Sequence, residues 1–506
     1  MFGDVLPRDG LFVVCPRLEY NDQREYQYVL PANSPVLPPT PLGDDRYVER
    51  NLRSNFQRLK MTLANSQFEW KPQPEAAAWI NERIVAMCDR NAWLALLAER
   101  MVSQTGTRLA DWVDHLQLRL DDDELNQAIE IGYAASSGTW LENPLGMFPR
   151  ILRLAEAEAS DKIVLKVDSI EQFLTAQSLD VPITGLAGSR FRHATVSVES
   201  NVEVRVAERR GWHGHQLSAD SADTIELAES HLEHFRNRKR DYPSDVDAFA
   251  HAGELIDDAM KELGRDWTCA LFFQAEREYW QSRNRAAQVQ FDRQQQLGLG
   301  WANHDHHTYR SSRVAFHRLI AILEKMGFEC RERFYAGRDA GWGAQVLEQP
   351  NCGLIVFADV DLTPDEIQGD IAHNPLPASQ ELGTVGLWCC LHGEAFLQAG
   401  MHHLECQFDF DAARSQLQSA GIETMAPFTD FPFLRQAFTA AEPWNISPTR
   451  LDAALNENLI TAEQAAGFQA NGAPGSHLEI LERNDGYKGF NQTGISDIIV
   501  RTDPRN

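Results

Sequence analysis

Residues 304–362 change hydrophobic period several times, and that order restricts the fold more than any other stretch of the chain. HDHHTYR alternates as a strand does. SSRVAFHRLIAILEKMG then places Phe316, Leu319, Ile320 and Leu323 on one helical stripe and stops at Gly327. FECRERFYA, GAQVLEQ and LIVFADVDL read as three further strands, the last two joined by a turn at Pro350–Gly353. A second unit starts at His402 with strand HHLECQFDF, helix DAARSQLQSAG and strand IETMAPF. An insertion at 430–475 then precedes a closing strand, HLEILER.

Alternate residues of a strand share a face. His304, His306, Thr308 and Arg310 therefore fall on one side of the first strand, and His307 and Tyr309 on the other. Leu404, Cys406 and Phe408 form an apolar face, which turns His403, Glu405 and Gln407 the opposite way. Glu479, Leu481 and Arg483 share a face, with Leu478 and Ile480 behind it. Converging polar faces would place imidazoles and carboxylates together. Two imidazoles and one carboxylate with open positions suit non-haem Fe(II), while Mn, Zn or Ni fit the same donors. The doubled histidines at 306–307 and 402–403 leave two candidates at each place. His392 and Glu394 in LWCCLHGEAF, read as a strand, are substitutes, and GWHGH at 211–215 is a weaker His-x-His pair.

The rest of the chain divides by pattern. Residues 1–104 read as a Pro-rich stretch followed by helices, including NLRSNFQRLKMTLAN. Residues 105–215 read as an α+β domain, 216–298 as a helical connector broken by the glycines of LGLGWA, and 299–506 as the metal domain. Asp114–His115 resembles a ligand-bearing first strand. Aligning VEVRVAERRGW with HLEILERNDGY sets Arg205 opposite Glu479, so 105–215 reads either as a degenerate copy of the metal domain or as an unrelated α+β domain.

A formal net charge of −26 argues against a nucleic-acid partner, since phosphate backbones need a basic surface. No window approaches the roughly 20 apolar residues of a membrane span. The N-terminus lacks the pattern of a signal peptide. The eight cysteines include no CxxC pair, so reduced thiols and a cytoplasmic location are expected.

The strand–helix–three-strand unit, used twice, resembles the vicinal oxygen chelate superfamily. DHHTYR is similar to the D-H-x-x-x-R signature of the 2-oxoadipate dioxygenase/decarboxylase family, which is related to hydroxymandelate synthase. SHLEILERNDGYKGFNQTGI resembles the closing strand and helix of 4-hydroxyphenylpyruvate dioxygenase, where a Leu-Glu-Ile run supplies a carboxylate ligand. The resemblance spans residues 299–506. It implies His306, His403 and Glu479 as metal ligands and Arg310 as the catalytic and substrate-gripping arginine. Gln345, Gln407 and Arg483 are expected to join Arg310 around the substrate. Four strand residues span roughly 13 Å, so Arg310 would hold a distal carboxylate rather than the chelating one. A salt bridge is the competing role for Arg310.

The expected fold is therefore α+β, with paired βαβββ units forming a metal-binding barrel and large helical additions. The expected function is an Fe(II)-dependent dioxygenase acting on a small 2-oxo or 2-hydroxy carboxylic acid, with decarboxylation. The expected partners are that anionic substrate and dioxygen, and a homo-oligomer is compatible. The alternatives are a non-oxidative metal-dependent lyase or isomerase, and a metal-independent carboxylate-binding protein. The 430–475 segment and the tail GYKGFNQTGI are expected to act as a lid.

Overall fold

Local signals account for where the helices begin. The computed structural model describes residues 69–136, 139–155, 157–338, 340–379, 381–491 and 503–505. The Pro-rich stretch, the NLRSNFQRLKMTLAN pattern and part of the tail lie outside the described residues. α1 (Pro74–Arg90) opens on a proline, whose missing N–H costs nothing in a first turn. α2 (Ala92–Arg100) is capped by the Asn91 side chain, which accepts from the Leu94 N–H.

The N-terminal sheet is built from β1 (Val113–Leu118), α3 (Asp122–Glu130), β2 (Ala134–Ala135), β3 (Trp140–Glu142) and β4 (Arg150–Arg153), then β5 (Asp161–Lys166), α4 (Ile170–Ala176), β6 (Ile183–Thr184), β7 (Phe191–Glu199) and β8 (Val202–Arg209). Four helices follow: α5 (Ala222–Arg236), α6 (Asp245–Leu263), α7 (Arg265–Ser282) and α8 (Arg285–Gln295). The C-terminal half runs β9 (His304–Arg310), α9 (Phe316–Lys325), β10 (Glu329–Tyr335), β11 (Trp342–Gln349), β12 (Leu354–Asp361) and α10 (Thr384–His392). It continues with β13 (His403–Gln407), α11 (Phe410–Ser419), β14 (Thr429–Phe431), β15 (Leu434–Phe438), β16 (Pro443–Trp444), α12 (Pro448–Asn456), α13 (Ala462–Asn471), β17 (Ala473–Pro474) and β18 (His477–Arg483).

The two large sheets have one topology. Their strand orders are β2-β3-β4-β1-β5-β8-β7-β6 and β10-β11-β12-β9-β13-β18-β15-β14. In each, the first strand pairs parallel with the fourth and antiparallel with the fifth, which pairs parallel with the last. The architecture is α+β, with two βαβββ units joined edge to edge in each sheet.

Alternation then divides the C-terminal sheet. Its back face carries His307, Tyr309, Leu404, Cys406, Leu478 and Ile480. The connector helices cover this face, with the Phe273 ring 5.1 Å from His307 and 6.2 Å from Tyr309. The front face lines a cavity. α9 packs Phe316, Leu319, Ile320 and Leu323 into the back core, each contributing about 1.5–3 kcal/mol. No helix among the described residues is long and apolar enough to cross a membrane.

Four local expectations are corrected. IETMAPF forms only one isolated bridge, Thr424–Thr439; the strands completing the second unit are β14 and β15, from inside the presumed insertion. The inserted part is therefore β16, α12, α13 and β17, and the two helices pack against Leu387 and Leu391 of α10. LWCCLHGEAF is largely helix α10, not a strand. His304 leaves the His306 face because the β9–β13 register shifts beside it, and its ring lies 5.2 Å from His307.

The connector ends on glycines for a steric reason. Gly298 has φ +72°, and a Cβ there would sit 2.3 Å from the Phe173 Cα. Gly298→Ala should destabilise the protein by about 1–3 kcal/mol. Gly467 in α13 has open space around it, so Gly467→Ala should stabilise by up to about 1 kcal/mol. Denaturant unfolding of both variants reads the signs; equal signs would contradict the packing described.

Candidate metal centre

Three adjacent strands deliver the candidate ligands. Register sets His306 of β9 opposite Glu405 of β13, and Glu405 beside Glu479 of β18. His306, His403 and Glu479 are buried and offer donor atoms within 4.8 Å of one another. His306 Nε2 lies 2.8 Å from Glu405 Oε2, and His403 Nε2 lies 3.0 Å from Glu479 Oε2. His306 Nδ1 lies 3.3 Å from Asp305 Oδ1, which leaves Nε2 as its inward nitrogen. Gln436 of β15 donates to Glu479 Oε1 at 3.1 Å.

The cavity beside these groups has about 80 Å³ of free space. Thr308, Arg310, Asp359 and His402 supply further polar lining, and Phe334, Trp342, Phe357, Phe428, Phe438 and Phe490 form an aromatic wall. The Phe357 ring lies 4.5 Å from His306, and the Phe438 ring 5.0 Å from His403.

Burial dominates the protonation of the site. It pushes Glu479 up to about 7, against the pull of His306. Burial, with the charges of Glu479 and Asp305, raises Glu405 as well. The same burial lowers His306 and takes His403 down to about 3, with Arg310 adding to the latter. Asp305 is the exception: burial is outweighed by the Arg483 guanidinium, which holds its carboxyl below the usual range. Both imidazoles are thus neutral, with His306 Nε2 against Glu405 and His403 Nε2 against Glu479. Neutral imidazoles beside buried, proton-holding carboxylates fit a divalent cation, which would replace the protons.

Arg310 lies in the same cavity, buried, with Nε and Nη1 lacking partners and the guanidinium 5.7 Å over the Trp388 ring. It has no ion pair among the described residues, so the competing salt-bridge role has no observed counterpart. Asp359 pairs with it in strand register and is pushed up to about 8 by burial, despite Arg310.

The other expected substrate contacts hydrogen-bond within the sheet. Gln345 donates to the Glu332 and Val346 carbonyls. Gln407 and Arg483 both donate to Asp305. None of the three lines the cavity. His392 bonds the Pro474 carbonyl, and Glu394 accepts from Ser311 and Ser312, so neither joins the trio. His213 of GWHGH is exposed and lies 3.3 Å from Glu142. Sequence reasoning missed the proximity of Glu405 to His306, though alternation set it on the face of His403. Gln436 gave no signal, since it fell in the presumed insertion.

In the N-terminal sheet, matching registers place His115 at the His306 position and Val164 at the Glu405 position. Arg205 then stands for Glu479, and Lys162 for His403. Lys162 pairs with Glu158 and Arg205 with Glu203. Cations cannot ligate a metal ion, so this copy lacks the donor set.

No family model matches the sequence, and no curated protein matches it. Similar solved structures include a mutant of 4-hydroxymandelate synthase from Streptomyces coelicolor, 11% identical over 78% of this chain and 99% of that one, with a TM-score of 0.26. Methylmalonyl-CoA epimerase from Mycobacterium tuberculosis is 16% identical over 36% of this chain and 88% of that one, with a TM-score of 0.21. A xylose isomerase-like TIM barrel/4-hydroxyphenylpyruvate dioxygenase fusion protein is 11% identical over 80% of this chain and 53% of that one, with a TM-score of 0.21.

Two outcomes follow from the centre. His306→Ala, His403→Ala and Glu479→Ala should each lose stoichiometric Mn(II) with circular dichroism preserved, whereas His307→Ala, on the back face, should retain it. Loss of metal in His307→Ala alone would invert the facing assignment. The second outcome concerns pH. Glu479 is raised above an unfolded carboxylate value of about 4.3, so its proton favours the metal-free fold at low pH and is lost as pH rises through about 7. Metal requires the deprotonated form, so the Mn(II)-induced rise in Tm should grow from pH 6 to pH 8; an equal rise at both would contradict the assignment.

Proposed function

We propose that this chain is a non-haem Fe(II)-dependent dioxygenase acting on a small 2-oxo or 2-hydroxy carboxylic acid, with decarboxylation. The observation that carries the reading is a buried arginine with unfilled donors in the same cavity as two neutral histidines and a carboxylate. A buried, unpartnered guanidinium is costly, and an anionic substrate relieves that cost. His306, His403 and Glu479 would hold the ion; Fe(II) suits them best, while Mn, Zn or Ni would meet the same donors. When bound, iron supplies open positions that bring the acid and dioxygen together and activate them.

The chain's own residues supply binding, orientation and exclusion of water. Arg310 grips a distal anionic group of the substrate through its planar fork. Asp305 orients the His306 ring, and Gln436 orients Glu479. The aromatic wall keeps the cavity dry and suits a substrate with an apolar body. Seven described cysteines are free thiols, which accords with a reducing compartment such as the cytoplasm.

Glu405 favours a second reading. Its carboxylate lies between His306 and Glu479, so once deprotonated it could take a proton from a substrate in the cavity, as a non-oxidative lyase or isomerase requires. Dioxygen uptake in step with substrate loss supports the oxygenase, and turnover without uptake supports this alternative. A metal-independent carboxylate-binding protein would show neither turnover nor metal dependence.

A dioxygen electrode and a panel of 2-oxo and 2-hydroxy acids provide the assay. Arg310→Lys should keep its metal and its Tm, since Arg310 makes no ion pair among the described residues. Loss of one charge-assisted bond, worth about 1.5–3 kcal/mol, should raise KM about ten- to a hundredfold. An unchanged KM with a lowered Tm would remove Arg310 from substrate binding.

A further inference from the structure

A second cavity, of about 310 Å³, lies away from the metal centre. It is bounded by α7, by the ends of β5 and β8, and by the residues leading into β9. Its volume falls at the lower end of small-molecule pockets, which run from about 300 to 1,000 Å³.

The charges lining it do not balance locally. Glu208 accepts from Arg192 and from the Ile170 N–H, all at 2.7 Å. Glu278 is taken by Arg236 at 2.6 and 2.7 Å, and Asp168 accepts the Trp301 N–H at 2.6 Å. Arg209 is spent on Asp114 at 2.7 and 2.9 Å. Arg210 lies 3.8 Å from Glu208 and donates to the Gly188 carbonyl. Lys166 and Arg277 remain, and neither has a carboxylate within ion-pair distance among the described residues. The Arg277 side chain reaches only His307 Nε2, at 3.4 Å, and the Lys166 side chain makes no hydrogen bond among the described residues. Burial lowers the Lys166 pKa and the Arg277 charge adds to this, against the opposing charges of Asp114 and Asp168. Two half-buried like charges facing one cavity repel each other, and an anion between them relieves that repulsion.

We infer that this cavity binds a small dianion, a phosphate or dicarboxylate group, between Lys166 of β5 and Arg277 of α7. Lysine supplies a point charge and arginine a planar fork, a combination that suits either group. Such an anion ties the N-terminal sheet to the connector helices, and so stabilises the fold on binding.

The probes are inorganic phosphate and malonate, each compared with chloride at equal ionic strength by thermal unfolding and calorimetry. At least one should raise Tm saturably at millimolar concentration in the wild type; phosphate alone identifies a phosphoryl ligand, and malonate alone a dicarboxylate. The Lys166→Met/Arg277→Met double variant should lose the response. Without added anion it should be at least as stable as the wild type, because a repulsion has been removed. Single Lys166→Gln gives a milder form, with weakened binding by calorimetry. No shift beyond the chloride control, a wild-type response in the double variant, or marked destabilisation of the anion-free double variant would each overturn the site.

Discussion

The Asp305 carboxylate ties together the three strands that carry the candidate metal ligands. It accepts from Arg483 of β18 at 2.9 and 3.0 Å and from Gln407 of β13 at 3.0 Å, and it lies 3.3 Å from the ring nitrogen of its own neighbour, His306. Arg483 is itself pinned by the carbonyls of Tyr487 and Gly489. A buried ion pair contributes little net stability, because desolvation offsets its attraction, but it discriminates strongly between registers. Here that discrimination matters: a slip of one residue would turn His306, His403 and Glu479 away from the cavity.

The N-terminal half repeats the tie without the chemistry. Asp114 accepts from Arg209 at 2.9 and 2.7 Å and lies 2.6 Å from His115. Yet the remaining donor positions hold Lys162, Val164 and Arg205. Register control and the donor set are therefore separable, and one fold carries both a donor-rich and a donor-poor copy. The donor-poor sheet instead contributes Lys166 and Arg209 to the charged cavity beside the connector.

Much of this was legible in the residues because β9, α9 and β10–β12 each bury one face. Alternation set His306 and His307 on opposite faces, and the apolar Leu404 and Cys406 turned His403 away from them, but the choice among the doubled histidines came from resemblance. Legibility failed where periodicity disappears. α10 is buried nearly all round, so its helical period leaves no polar stripe to read. β14 and β15 are short and were hidden in a segment without strong alternation. A bulge moved His304 to the other face, which spacing does not announce. Gln345 shows a different limit: a strand pattern does not reveal whether a buried amide serves a ligand or neighbouring carbonyls. Resemblance, rather than periodicity, selected Glu479 as the third ligand.

The central claim is that two histidines and a carboxylate on three tied strands hold redox-active iron. Elemental analysis of wild-type protein purified without oxygen tests it most directly. Stoichiometric iron, retained through dialysis and removed by a chelator, is the expected result. Protein that carries no metal, and takes up none when Fe(II) is supplied anaerobically, would contradict it.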